Sequence, residues 1–160
     1  MATVKQSSSN GEIQLSPHFY LSELTVSDKA VRMGLNNTPD PIAVANLFKM
    51  AALMEEVRKV LGNRPISTSS GYRSPAVNKA VGGSRTSDHL SGSACDFICP
   101  GYGSPLEICR ALVKAGVKFG QLIEEGSWVH ISLPNRGEKN GEVLTARFVK
   151  GKATYVRGLR

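Results

Sequence analysis

The chain has 160 residues, enough for one ordinary domain, because compact domains usually contain about 100 to 200 residues. Apolar residues make up 41% of it and charged residues 21%, which is typical of a soluble globular protein and excludes a disordered chain. The 20 Lys and Arg outnumber the 13 Asp and Glu, and the net charge of +7 favours an anionic partner such as nucleic acid, an anionic membrane or an acidic cell-wall polymer.

The distribution of residues along the chain bears on which of these partners is expected and on where the protein is made. No Lys/Arg-rich block occurs, so we expect no nucleic-acid partner. No apolar run approaches the roughly 18 residues of a membrane helix, so we expect no membrane segment. The first residues, MATVKQSSSNGE, lack the apolar core of a secretory signal, which predicts synthesis in the cytoplasm. Three cysteines are an odd, sparse set and are expected to be reduced thiols.

The N-terminal third of the chain contains a lead-in and two predicted helices. Residues 1–13 are polar and serine-rich, which predicts a flexible lead-in. Ser27 is placed to cap a short helix that Gly34 ends, because a serine hydroxyl satisfies a free amide at a helix start and glycine accepts the left-handed backbone at its end. Asp40-Pro41 then opens the longest predicted helix, which Gly62 ends.

Short strands and two more helices are predicted in the middle of the chain. Stretches rich in β-branched and aromatic residues between turn residues are typical of strands, and Ser-Pro pairs are typical of helix starts. By these criteria strands are expected over Pro65–Ser69, Ala94–Cys99, Phe119–Glu124 and Trp128–Leu133, and helices from Ser74-Pro75 and from Ser104-Pro105.

The C-terminal stretches on either side of Lys150-Gly151 predict a hairpin. We therefore expect a single domain over residues 14–160, in which residues 135–160 are a C-terminal hairpin extension. Together these elements predict an α+β fold, with a small, mainly antiparallel sheet packed against helices.

Two histidines lie in sequences that suggest a metal site. His89 and Asp96 belong to the stretch SDHLSGSACD, and a loop that contains Gly92 joins them. Both can reach one ion if the chain turns back before the next strand begins. His130, in the predicted strand WVHIS, would be a third ligand. Two imidazoles and one carboxylate leave a coordination position for water, which is the arrangement of a catalytic zinc and implies hydrolysis. On spacing alone, a histidine that makes ordinary polar contacts remains an alternative.

A longer match to a known family surrounds these residues. The string from Ser87 to Asp96 fits the pattern S-x-H-x-x-G-x-A-x-D, and WVHIS fits a later ligand. Further matching stretches are LSPHF, SEL, NTP and SGYRSP. The chain, over roughly residues 15–134, therefore resembles peptidase family M15, the zinc D-Ala-D-Ala carboxypeptidases and phage endolysin endopeptidases, whose fold is shared with the Hedgehog signalling domain.

The resemblance implies roles for five residues. It implies that His89, Asp96 and His130 bind Zn²⁺. It implies that Arg73 holds the substrate's carboxylate or polarises the scissile carbonyl, a task suited to the planar guanidinium fork. It also implies that Ser87 contacts the substrate or orients a ligand.

The general base is expected to be Glu124 or Glu125. A zinc peptidase needs a base, commonly a carboxylate, that takes a proton from water and returns it to the leaving amine. Alignment on Gln121–Ile123 favours Glu125, whereas counting back from His130 favours Glu124. Strand alternation allows only one of the two to face the metal, and we prefer Glu125.

The resulting hypothesis is a monomeric zinc metallopeptidase that cleaves stem or cross-bridge peptides of bacterial peptidoglycan. The resemblance implies a phage or prophage endolysin, made in the cytoplasm and acting on the cell wall after holin-type release. The alternative is a non-catalytic cell-wall-binding module or virion protein on the same zinc fold.

Overall fold

The computed structural model describes residues 12–160. The predicted lead-in over residues 1–13 lies almost wholly outside the described residues, so it stays a prediction. Among the described helices, none combines the length and the apolar character needed to cross a bilayer.

The described chain has an α+β fold, as predicted, with four α-helices and eight strands. The helices are α1 (Asp28–Met33), α2 (Pro41–Val60), α3 (Pro75–Ala80) and α4 (Pro105–Lys114), with short 3-10 helices at Leu21–Leu24, Asp88–Ser91 and Gly137–Lys139. The strands are β1 (Gln14–Ser16), β2 (Phe19–Tyr20), β3 (Ser67–Ser70), β4 (Ala94–Ile98), β5 (Gln121–Glu124), β6 (Val129–Ser132), β7 (Glu142–Val149) and β8 (Lys152–Arg157).

Three helices begin at the serines that the sequence indicates. The hydroxyls of Ser27, Ser74 and Ser104 accept hydrogen bonds from backbone amides in the first turns of α1, α3 and α4. In α3 and α4 the next residue is proline, whose missing N–H would have no helical partner at that position. Gly34 ends α1 with φ 63°, a left-handed conformation that glycine adopts without strain.

The larger sheet has six strands in the order β3-β4-β6-β5-β7-β8, and β1 pairs with β2 in a separate small sheet. β5 is antiparallel to β6, and β7 is antiparallel to β8, but β5 and β7 are parallel. The reason is the short connection after β6: Glu142 donates to the carbonyl of Gly120, so β7 starts beside the start of β5. The sheet is mainly antiparallel, as predicted, and β5 with β7 is the parallel one of these three pairs.

The described chain divides into two compact units. One comprises the chain up to Glu55 together with Thr68–Cys95, and it contains α1, α3, β1 and β2. The other comprises Glu56–Ser67 and Asp96–Arg160, and it contains α4 and β5 to β8. The boundaries fall inside α2, β3 and β4, each of which is continuous along the chain.

The second unit has an apolar core on one face of its sheet. α4 packs against β5 and β6. Its buried residues Ile108 and Leu112 belong, with Leu122 and Ile131, to the fully buried large side chains of the protein. Burial of each such side chain stabilises the fold by about 1.5–3 kcal/mol. This face is therefore closed by the helix, and the opposite face of β5 and β6 carries His130.

Candidate functional site

His89 is placed by a short turn just before β4. The 3-10 helix Asp88–Ser91 starts at Ser87, whose hydroxyl accepts a hydrogen bond from the His89 amide at 3.2 Å. It ends at Gly92 with φ 74°, and a Cβ at Gly92 would lie 2.8 Å from the Ala43 carbonyl oxygen. Glycine is required there because both the left-handed backbone and the close approach exclude a side chain. The chain thus turns back at Gly92, before β4 begins at Ala94.

A backbone carbonyl fixes the imidazole of His89. The side chain is buried, and Nδ1 lies 2.7 Å from the carbonyl oxygen of Gly71. A carbonyl only accepts, so Nδ1 carries the proton and Nε2 carries the lone pair in the neutral ring. Metal-binding histidines usually donate their other ring N–H in this way, which fixes the tautomer and the ring orientation.

Asp96 and His130 form a close pair on two neighbouring strands. Asp96 lies on β4 and His130 on β6, and both side chains are buried. Nδ1 of His130 is 2.9 Å from Oδ1 of Asp96. Cys95 and Phe97 lie on the face of β4 opposite Asp96, and Cys95, Cys99 and Cys109 are all buried.

The three predicted ligands converge. One ligand atom from each of His89, Asp96 and His130 lies within 4.8 Å of the other two. Ligand atoms around a tetrahedral metal with bonds of about 2.0–2.1 Å are about 3.3 Å apart, so small adjustments would bring this group to bonding distance. Two imidazoles and a carboxylate, buried and already oriented, form a group that could hold a metal ion.

A comparison with family models decides the family. The model described as Peptidase M15 matches residues 17–132, which is more than half of the chain. The chain belongs to the peptidase M15 family. This M15 chain is thus a peptidase, and at the family level its substrates are peptides of the peptidoglycan type. No curated protein matches the chain.

M15 peptidases are generally metal-dependent, and the match spans His89, Asp96 and His130. It ends at residue 132, so the hairpin formed by β7 and β8 lies beyond it. The matched region thus contains all three residues of the candidate metal group and no part of the hairpin.

The two candidate base residues of the M15 chain lie on opposite faces of the sheet. Ile123 is paired with His130, so these two side chains share a face, and Glu124 lies on the other. The Glu125 amide donates to the Trp128 carbonyl at 3.0 Å, which continues the register by one residue around the turn Gly126-Ser127. Glu125 is therefore on the same face as His130.

Glu124 is directed toward α4 and the β5–β6 turn. Its Oε1 accepts a hydrogen bond from the Gly126 amide at 2.6 Å. Burial, followed by the negative charge of Glu124, raises the pKa of Cys109 on α4 to about 12. Both observations place this carboxylate on the helix-covered face, away from His130.

Arg73 of the M15 chain is held by its neighbours beside the start of α3. Its backbone amide donates to the His89 carbonyl at 2.9 Å. Nε donates to the Ser70 hydroxyl at 3.0 Å, and Nη1 donates to the Asn78 side-chain oxygen at 3.3 Å. The guanidinium is therefore oriented by two hydrogen bonds, one of them to a buried amide.

A surface cavity of about 420 Å³ adjoins Arg73. Lys29 and Arg32 also line it, along with three serines and one acidic residue, Asp28. Three cations against one carboxylate give the cavity a net positive charge, which favours an anionic group of a ligand.

Two supporting residues were missed by sequence reasoning. The carbonyl of Gly71 orients His89, and Asn78 links Arg73 to the carbonyl of Ser84. Gly71 lies in the matched stretch SGYRSP, but a backbone carbonyl leaves no signal in a single sequence. Asn78 is a polar residue that is buried on α3, and a buried amide usually has a hydrogen-bond partner. The sequence alone does not show this burial.

Proposed function

We propose that this M15 peptidase is a zinc-dependent phage or prophage endolysin that hydrolyses stem or cross-bridge peptides of bacterial peptidoglycan. The observation that carries the proposal is the convergence of His89, Asp96 and His130 within 4.8 Å. The basic character of the chain supports an anionic polymer as the target.

The donor set fits zinc. Nitrogen from two imidazoles and oxygen from one carboxylate are preferred zinc ligands, and three protein ligands are the usual number in catalytic sites. The Gly71 carbonyl gives His89 the outer-shell partner that such sites need. When bound, zinc supplies a Lewis acid for the scissile carbonyl and lowers the pKa of water.

Glu125 is the proposed general base. It shares the sheet face of His130, whereas Glu124 is engaged by the Gly126 amide on the other face. In this role its carboxylate takes a proton from the attacking water and delivers it to the amine that leaves. Proton transfer of this kind contributes about 10²–10⁴-fold to the rate.

Arg73 is the proposed substrate-binding residue, and Ser87 is proposed to position His89. The oriented guanidinium of Arg73 suits a carboxylate, which peptidoglycan peptides offer at several positions. Lys29 and Arg32, in the same cavity, would favour a substrate with further negative charge. The Ser87 hydroxyl bonds the His89 amide, which supports a role in orienting a ligand.

The decisive experiment is digestion of purified peptidoglycan by the zinc-loaded protein. We expect soluble fragments whose new amino and carboxyl ends, identified by mass spectrometry, reveal the cleaved bond. The matched control is His89→Ala, which removes one imidazole and should release no fragments.

The same experiment distinguishes the alternative function. If the wild-type protein pellets with the peptidoglycan and releases nothing, the chain is a wall-binding module. Release of identical fragments by wild type and His89→Ala would show that the hydrolysis does not depend on the proposed metal site. Clearing of permeabilised bacterial cells by the wild type alone would support the endolysin role.

A further inference from the structure

The β7–β8 hairpin lies beyond the family match. The match ends at residue 132, and the hairpin comprises Glu142–Val149 and Lys152–Arg157. It is joined to the sheet through the parallel pairing of β7 with β5, the strand that leads into Glu125. The hairpin is therefore positioned relative to the proposed general base by backbone hydrogen bonds.

The register of the strands places Tyr155 on the face of His130 and Glu125. Glu124 is paired with Thr145, so the next position on β5 aligns Glu125 with Ala146. Ala146 is paired with Tyr155 on β8. Side chains that are aligned across neighbouring strands project from the same face. Glu125, Ala146 and Tyr155 thus form one row across that face, with a small buried residue in its centre.

A second aromatic ring lies diagonally beside Tyr155 on the same face. Phe148 follows Ala146 by two positions on β7, and a Cβ on Gly126 would lie 3.4 Å from its Cε2 atom. The ring of Phe148 therefore packs beside the turn that carries Glu125. Phe148 and Tyr155 are 55% and 50% exposed. Two half-exposed aromatic rings next to a candidate site are typical of a surface that binds a ligand.

The electrostatic surroundings of Tyr155 agree with this placement. Burial, then the negative charge of Glu125, then that of Asp96, raise the pKa of the phenol. A raised pKa keeps the hydroxyl protonated, so the phenol remains a hydrogen-bond donor at neutral pH and above. The effect of the Glu125 charge on the phenol agrees with the placement of Tyr155 in the row that contains Glu125.

We propose that the β7–β8 hairpin forms one wall of the substrate site and that Tyr155 contacts the substrate, with its hydroxyl donating a hydrogen bond to a carbonyl or carboxylate of the peptide bound beside Glu125. The inference rests on the proposed function and deepens it. The hairpin would thereby contribute to the choice of peptide from outside the matched region.

The test compares Tyr155→Phe with Thr154→Val. Each variant removes one hydroxyl from β8, but Thr154 lies on the opposite face, where its hydroxyl contacts the Arg147 carbonyl. Binding of a stem pentapeptide ending in D-Ala-D-Ala is measured by calorimetry in a Glu125→Gln background, where the peptide stays intact. Zinc content and circular dichroism verify that each variant is folded and loaded.

We expect Tyr155→Phe to weaken binding by about 5–10-fold, the effect of one lost hydrogen bond, and Thr154→Val to leave it unchanged. In the otherwise wild-type enzyme the same loss should raise KM more than it lowers kcat. Unchanged binding in Tyr155→Phe overturns the inference and leaves the proposed function intact. If the Glu125→Gln protein does not bind the peptide and the wild type does not cleave peptidoglycan, the proposed function fails, and this inference fails with it.

Discussion

Nδ1 of His130 lies 2.9 Å from Oδ1 of Asp96, and both side chains are buried. The two residues belong to β6 and β4, which are neighbours in the sheet, so their separation is set by strand pairing. His89 lies on a turn whose geometry depends on Gly92 and on the carbonyl of Gly71. Two of the proposed ligands are thus held by regular structure, and the third is held by a turn that depends on Gly71 and Gly92.

Removal of one imidazole should abolish metal binding. We expect the wild type to bind one zinc ion per chain and His89→Ala to bind none, measured by mass spectrometry of the metal after dialysis. Zinc at 100 times its Kd should stabilise the wild type by about 2.7 kcal/mol, and a chelator should remove this gain.

His18→Ala is the control for that measurement. His18 is an exposed histidine whose Nδ1 contacts Glu55, so its loss should leave the zinc content unchanged. Equal zinc binding by His89→Ala and the wild type would contradict the proposed ligand set.

Substitution of the two adjacent glutamates should have unequal effects. Glu125→Gln is expected to lower kcat by about 10²–10⁴-fold, because it removes the proposed proton acceptor on the face of His130. Glu124→Gln should leave kcat close to the wild-type value, since Glu124 is bonded to the Gly126 amide on the other face. Steady-state kinetics on a soluble stem peptide measure kcat for both variants. A larger loss of kcat in Glu124→Gln than in Glu125→Gln would make Glu124 the general base.

Gly71→Ala should lower the zinc affinity of the proposed site, although it replaces none of the proposed ligands. An added Cβ would collide with the backbone carbonyl of Leu24, so the Gly71 carbonyl would move away from His89 Nδ1. Loss of such an outer-shell partner typically lowers metal affinity by about 10–100-fold. Competition with a zinc chelator of known affinity measures the change.

Gly101→Ala provides the matched control. The Gly101 carbonyl also accepts a side-chain hydrogen bond, from Arg64, but an added Cβ would meet only ordinary contacts at 3.7 Å. We expect wild-type zinc affinity in this variant. Equal losses in the two alanine variants would mean that the effect does not arise from His89.

The thiol of Cys109 should be unreactive in the folded protein. Burial and the Glu124 carboxylate raise its pKa to about 12, so the reactive thiolate is scarce below that pH. At about pH 8.5, the ordinary pKa of a thiol, we expect negligible labelling by a disulfide reagent until the protein is unfolded. Rapid labelling of Cys109 in the native state, located by peptide mapping, would contradict this environment.

Local signals in the sequence were sufficient for the helices. Ser27, Ser74 and Ser104 each form the predicted cap, because a cap depends on residues within one turn of itself. The strands β1 and β2 were not predicted, since three and two residues are too short to show alternation. The parallel pairing of β5 with β7 was missed as well, because it depends on where the chain returns after β6.

For the candidate site, too, the sequence predicted residue types and spacing but not the contacts that depend on strand pairing. The residue types and spacing of His89, Asp96 and His130 suggested a metal group, and the structure brings these three together. The choice between Glu124 and Glu125 stayed open in the sequence, because it depends on the pairing of Ile123 with His130. The relation of Tyr155 to Glu125 could not be predicted, since it passes through two strand pairings.

The hairpin's place at the end of the six-stranded sheet has a practical consequence for engineering. β8 is the terminal strand, and the hairpin carries none of the proposed zinc ligands. A different hairpin that keeps the β5–β7 register could be grafted in its place. Such chimeras would change the wall proposed for the substrate site while the residues of the proposed metal group stay the same.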